Sequence, residues 1–233
     1  MKTSKITLNL LFCILFTNLI LAQSTSDYIS FTTPYNYDGN IYHVGDDNKI
    51  SKAAVNDLAH DKTLLKSFSN IVSNVTVYQM TKEGKLDVLG VGVSVKDKYY
   101  QVIYDFSQTQ TLDTDFKEYE SILVGVGVRM VAKIKTLKAG INLSSPFSLV
   151  ADIDKVEGAL EVRVSGIGSQ KINDLIPTTS DLSPASISNA LQAVASIKSH
   201  MYDKETIINP QILAYSLKGK KINQGVTKLT INK

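Results

Sequence analysis

Between Ser121 and Thr136 the chain reads SILVGVGVRMVAKIKT. Ile122, Val124, Val126, Val128, Met130, Ala132 and Ile134 occupy one set of alternate positions; Leu123, Gly125, Gly127, Arg129, Val131, Lys133 and Lys135 occupy the other. Alternation sustained over such a length is the period-two pattern of a β-strand with one face buried. A sheet must therefore be built around it, and the rest of the chain must cover or extend that sheet. Val124, Val126 and Val128 are expected in the core. Glycine weakens a strand unless something needs the missing side chains, so close approach by a helix, a neighbouring sheet or a ligand is expected over Gly125 and Gly127.

The natural candidate for that neighbour is a helix near the C-terminal end. Ser183 suits an N-cap and Pro184 the first helical position. Ile187, Ala190, Leu191, Val194, Ile197 and Met201 then keep a helical spacing and form a single apolar stripe. A helix with one apolar side lies across a sheet, and Ala190 is small enough to approach glycines. A second, shorter helical segment is expected over Ser51–Phe68, with Ala54, Val55, Leu58, Leu64, Leu65 and Phe68 inward.

The remaining runs read as strands. Asn74–Met80 and Leu86–Val95 are separated by the turn Thr81–Lys85, and Tyr99–Phe106 follows the polar Lys96–Lys98. Short polar connections imply an antiparallel meander. Gln108–Lys117 is polar and rich in threonine and reads as a loop. Ile141–Leu143, Phe147–Ile153, the alternating Leu160, Val162 and Val164, and Ile207–Leu217 supply further strands, with Pro210 pointing to an edge or a late start. Leu89–Val93 echoes the two-glycine pattern of Val124–Val128. The expected class is α+β: an antiparallel meander sheet of about five to eight strands carrying a long helix in the C-terminal half and a shorter N-terminal helical segment.

The ends have a different character. Lys2 and Lys5 precede a mostly apolar run from Leu8 to Leu21, and Ala22 suits a signal-peptidase cut, so residues 1–22 read as a cleaved export signal. That implies an extracellular or periplasmic protein. The one cysteine, Cys13, lies within this signal, so the exported chain carries no disulfide and no thiolate chemistry. Residues 23–47 form an irregular aromatic-rich arm, residues 48–217 one α+β domain, and residues 218–233 a basic tail. The formal net charge is only +3, and Arg129 and Arg163 are the sole arginines. Lysine is the poorer residue for reading bases and phosphates, so no nucleic-acid partner is implied.

No catalytic motif stands out. His43, His60 and His200 lie in no nucleophile motif, Gly166–Ser169 is not a nucleophile elbow, and no HExxH occurs. Asp46–Asp47, Asp113–Asp115 and Asp152–Asp154 are paired carboxylates without the setting that glycoside or calcium chemistry needs. No metal site or cofactor is implied. The residues that suggest a ligand are Tyr35, Tyr37, Tyr42 and His43 in the arm, because rings beside Asp and Asn suit stacking on a flat polar molecule. The expected function is a non-enzymatic binding or structural protein whose partner is a carbohydrate or another extracytoplasmic protein. Two alternatives stand beside it. The alternation of Ile122–Lys135 is long enough for a membrane-associating or pore-forming β-strand. A hydrolase without a motif would use His43 with Asp46, or Asp152 with Asp154.

Overall fold

The computed structural model describes residues 28–58, 63–81, 84–89, 99–115, 117–136, 138, 140–219 and 228–229. Residues 1–22, read above as an export signal, lie outside them, as do His60, most of the basic tail and the glycine echo after Leu89. In chain order the strands are β1 (Ile29–Asn36), β2 (Asn40–Val44), β3 (Ile50–Ala54), β4 (Asn70–Met80), β5 (Leu86–Val88), β6 (Tyr99–Asp113), β7 (Tyr119–Thr136), β8 (Ile141–Asn142), β9 (Val156–Ser165), β10 (Ile167–Gly168), β11 (Ser180–Asp181), β12 (Ile207–Ile208), β13 (Gln211–Leu217) and β14 (Lys228–Leu229). The α-helices are α1 (Leu64–Ser67), α2 (Pro146–Ala151), α3 (Gln170–Leu175) and α4 (Pro184–His200).

The main sheet has eight strands, all antiparallel, in the order β1-β13-β7-β6-β4-β5, with β9 and then β11 branching from β7. The alternating stretch is its longest strand, β7, at 18 residues. Two strands lie end to end along one edge of it. β13 pairs with Tyr119–Gly125, and β9 pairs with Gly127–Thr136. The other edge pairs with β6 from Asp113 to Tyr99 without a register shift. The order departs from a simple meander, because β6 lies against β4 and leaves β5 as a short outer strand.

Both faces of β7 are buried from Ser121 to Ala132: one is apolar, and the other sets Arg129 among Leu123, Gly125, Gly127 and Val131. Val124, Val126, Val128, Met130, Ala132 and Ile134 join a core that includes Ile187, Ala190, Val194 and Ile197 of α4. The helix therefore covers the valine face, not the glycine face. It begins at Ser183, whose side chain accepts from Ser186 N while Ser186 Oγ accepts from Ser183 N. Burying its three branched aliphatic residues contributes about 1.5–3 kcal/mol each before entropy costs. On the other face, the backbone of β6 is the close neighbour. A β-carbon on Gly125 would lie 2.7 Å from Thr109 Cα, and one on Gly127 would lie 2.7 Å from Ser107 Cβ. The glycines allow two long strands to coil tightly around each other.

That coiling brings β1 back over the polar face. The first strand pairs with β13, and it also meets the far side of the sheet. Ser30 N donates to Thr76 Oγ1 at 2.9 Å, Asn74 Nδ2 donates to Tyr28 O at 3.0 Å, and the Tyr78 hydroxyl donates to Ser30 O. Arg129 and Asp105 lie under this strap, buried at 1% and 5% exposure. The sheet is thereby almost closed into a barrel. Its covered face holds Ser30, Asn74, Thr76, Gln101, Asp105 and Arg129, all buried.

Several local expectations change for physical reasons. Ile50–Ala54 is a strand rather than the start of a helix, because Gly45–Lys49 makes a tight turn, with Asn48 at φ 59°, that folds β3 back on β2. Helix in the described part of Ser51–Phe68 is limited to a 3-10 turn at Val55–Leu58 and the four residues of α1. Gln108–Asp113 is not loop but the end of β6, since β7 continues to Tyr119 and needs a ladder partner. Phe147–Ala151 is helical. Ser145 caps it by accepting from Ser148 N at 3.0 Å, and Pro146 begins the first turn.

Candidate functional site

The four residues singled out in the N-terminal arm go to different places. Tyr42 and His43 alternate on β2, so one points out and the other in. Tyr42 is 56% exposed. His43 is buried, with Nδ1 3.3 Å from Ser67 Oγ and Nε2 3.4 Å from Thr63 Oγ1. The Tyr37 hydroxyl donates to Asn40 O at 2.8 Å, and the ring packs against the core; burial, with Asp38 nearby, raises its pKa. The hairpin itself is held by Gln110, which accepts from Tyr42 N at 3.0 Å and donates to the carbonyl of Ser67. These contacts make His43 and Tyr37 parts of the framework.

Tyr35 has a different setting. It is 57% exposed and stands edge-on to Phe31, with centroids 4.9 Å apart and planes at 90°. Phe31 in turn contacts Tyr215 at 4.6 Å and Tyr119 at 6.1 Å, and Tyr119 lies 4.5 Å from Tyr215. Four rings from β1, β7 and β13 thus form one partly exposed patch. Burial raises the Tyr215 and Tyr119 hydroxyl pKa values; Tyr119 and Tyr35 add to the shift at Tyr215, and Glu118 and Tyr35 add to it at Tyr119.

The patch sits beside the polar network. Burial raises the pKa of the Tyr78 hydroxyl, and Tyr215, Asp105 and Tyr119 push it in the same direction. Arg129 Nη1 donates at 2.7 Å to the carbonyl of Phe31, so the residue at the centre of the patch is positioned by the guanidinium beneath it. Ser121 Oγ lies 2.9 Å from the Tyr28 hydroxyl and 2.8 Å from Ser216 Oγ, joining all three strands nearby. The rings consequently stand on strands that side-chain bonds hold in place. Each aromatic contact adds about 0.5–1.5 kcal/mol beyond area burial.

The carboxylates considered for hydrolysis are engaged separately: Asp46 with Lys66 at 3.9 Å, Asp154 with Lys138 at 3.0 Å, and Asp152 with Asn142 N at 2.6 Å and with Lys155. His200 Nδ1 is 2.9 Å from Asp203 Oδ2, which also accepts from Lys171 at 3.0 Å. Among the described residues no group of three or more His, Cys, Asp or Glu side chains converges to hold a metal ion. No described helix is long and apolar enough to cross a membrane. Comparison with protein-family models, with curated proteins and with solved structures gives no match.

Of the patch residues, only Tyr35 is among those suggested by the sequence. Phe31 is visible as one ring of the arm, but Tyr119 and Tyr215 carry no local signal. They meet Tyr35 because β13 pairs with both β1 and the start of β7.

Proposed function

We propose that the chain is an exported, non-enzymatic binding protein, with the Phe31–Tyr35–Tyr119–Tyr215 patch as its ligand surface and a carbohydrate as the ligand class. The observation that carries this reading is the convergence of three tyrosines from three strands on Phe31, with Tyr35 more than half exposed. Aromatic faces stack on the C–H faces of sugar rings, while phenol hydroxyls supply polar contacts at the rim. The apolar run before Ala22 supports export. An α+β fold supports the patch, with α4 and the smaller α1 as its helical parts.

A printed glycan array probed with the exported chain, followed by titration calorimetry on the best neutral glycan, tests the proposal. Tyr35→Ala is expected to weaken that binding at least tenfold while leaving thermal unfolding unchanged. Absence of glycan binding, or binding indifferent to Tyr35→Ala, would overturn it. Co-sedimentation with liposomes that depends on Tyr35 would instead favour the membrane-associating alternative.

A further inference from the structure

The outer edge of β4 is open over much of its length. β6 pairs with this strand from Asn70 to Gln79, but on the other side β5 reaches only Tyr78–Met80. Leu89 N then donates to Val77 O at 2.9 Å. In an antiparallel ladder successive residues turn their backbone groups to opposite sides, so Ile71, Ser73 and Val75 point outward as Val77 does. Among the described residues no strand pairs with them there. β1 meets β4 through the side chains of Asn74, Thr76 and Tyr78, not through these backbone groups.

The sequence of this edge does nothing to discourage pairing. Edges that face solvent are ordinarily defended by charge or proline. Pro34 lies on β1, Lys52 on β3, Asp87 on β5, and Glu161 and Arg163 on β9. From Ser67 to Thr81, by contrast, the chain has no charged residue, no proline and no glycine. Ile71 is 67% exposed. Gln108, its partner on β6, bonds the hydroxyl of Tyr202 at 2.7 Å, and that ring is 60% exposed. A bare edge flanked by apolar side chains is a template for another strand.

The edge is also complementary to itself. A two-fold axis at Ser73 sets Ser73 opposite its own copy and Ile71 opposite Val75, each pair exchanging both backbone bonds. Ile71 and Val75 share a face of β4, and Val75 packs against the main core. The exposed isoleucine of one copy therefore extends the apolar face of the other. No charge opposes another across the axis.

We propose that β4 pairs antiparallel with β4 of a second copy of this chain, centred on Ser73, so that two main sheets join into one. The interface shares no residue with the aromatic patch.

Sedimentation velocity of the whole exported chain across the micromolar range tests this, and a dimer is expected. Ile71→Lys changes a side chain that is already exposed, and Ser73→Pro removes an N–H that β6 does not use. Each is expected to raise the dimer dissociation constant at least tenfold with the circular dichroism unchanged. Should Ser73→Pro disturb folding, Ile71→Lys decides alone. Ser73→Cys reports the register, because Cys13 lies in the signal and the exported chain has no other thiol. Residues opposed in a hydrogen-bonded pair have Cα atoms about 5.5 Å apart, within reach of a disulfide. Ser73→Cys is expected to cross-link under mild oxidation at least tenfold faster than Ser69→Cys, which lies outside the paired segment. A chain that stays monomeric would overturn the proposal and leave the edge to a strand of another protein. So would a dimer indifferent to Ile71→Lys, or one in which Ser73→Cys cross-links no faster than Ser69→Cys.

Discussion

The guanidinium of Arg129 holds the carboxylate of Asp105 through two parallel bonds, Nε to Oδ1 at 2.8 Å and Nη2 to Oδ2 at 3.0 Å. The pair lies directly across β6 and β7 and beneath β1, whose Phe31 carbonyl takes the Nη1 hydrogen. Burial pushes the Asp105 carboxyl above its ordinary pKa, while Arg129 and Ser30 oppose that shift. Desolvation of this kind makes a buried pair a weak source of net stability but a strong constraint on geometry. Removing either partner leaves the other charge in a dry interior.

Arg129→Met is therefore expected to cost about 3–5 kcal/mol in urea unfolding. Arg129→Lys is expected to be nearly as damaging, because an ammonium cannot make the two-pronged contact and also reach Phe31 O. Replacing both partners, as Arg129→Met with Asp105→Leu, should recover much of the loss. If Arg129→Lys unfolds at the native urea midpoint, the fork is not what fixes β1.

Gly125 tests the coiling of β7 around β6. Its missing β-carbon would press on the carbonyl of Gln108 and lie 2.7 Å from Thr109 Cα, and these are backbone atoms that cannot rotate away. Gly125→Ala is expected to destabilise by about 1–3 kcal/mol or more. Gly168→Ala, which enters open space, should stay within about 0.5 kcal/mol. Equal melting temperatures for the two variants would remove steric closeness as the reason for glycine at 125.

Helix α4 owes its start to local chemistry and its place to packing. Ser183→Ala deletes the side-chain acceptor for Ser186 N and should cost about 1 kcal/mol. Ile197→Ala opens a cavity at a position with 0% exposure and should cost about 2–5 kcal/mol. Chemical denaturation of both variants measures the two effects, and the order of their sizes is the prediction.

Asp203 gives a pH dependence with a defined sign. Its carboxylate lies below the ordinary range, chiefly because Lys171 donates to it and secondarily because His200 does. A depressed folded-state pKa supports the native state above the unfolded value of about 3.9 and loses that support as pH falls through the lower folded value. In a ¹³C titration, the Asp203 carboxyl midpoint should lie below 3.9 and rise in Lys171→Ala. A midpoint indifferent to Lys171→Ala would show that the 3.0 Å contact is not maintained in solution.

β7 and α4 were both legible in the chain because each carries its period locally: two for SILVGVGVRMVAKIKT, near 3.6 for Ile187 to Met201. Burial of Val124, Val126 and Val128 follows directly from that period, and they are 0%, 0% and 1% exposed. The structure departs from the local pattern where polar residues are buried. Gln108–Asp113 looks like a loop because it is polar, yet Thr109 and Gln110 are buried against the covered face and the β2–β3 hairpin. Phe147 looks like the start of a strand, but the Ser145 cap and Pro146 direct the backbone into a helix.

The sequence by itself determined that a long alternating strand would be buried and that an amphipathic helix would lie across its sheet, but not that the helix would take the valine face instead of the glycine face. Those outcomes depend on neighbours a few residues apart. Tertiary structure alone decided what the other face of that strand would hold. The curl of the sheet carries β1 across Arg129 and Asp105, turning a face expected to meet a close-packed helix into an enclosed layer in which that ion pair lies beside buried Ile29, Tyr78 and Ile103. It also decided the site. No spacing along the chain relates Tyr35 to Tyr119 and Tyr215; strand register brings them together, because pairing joins residues that no local period connects.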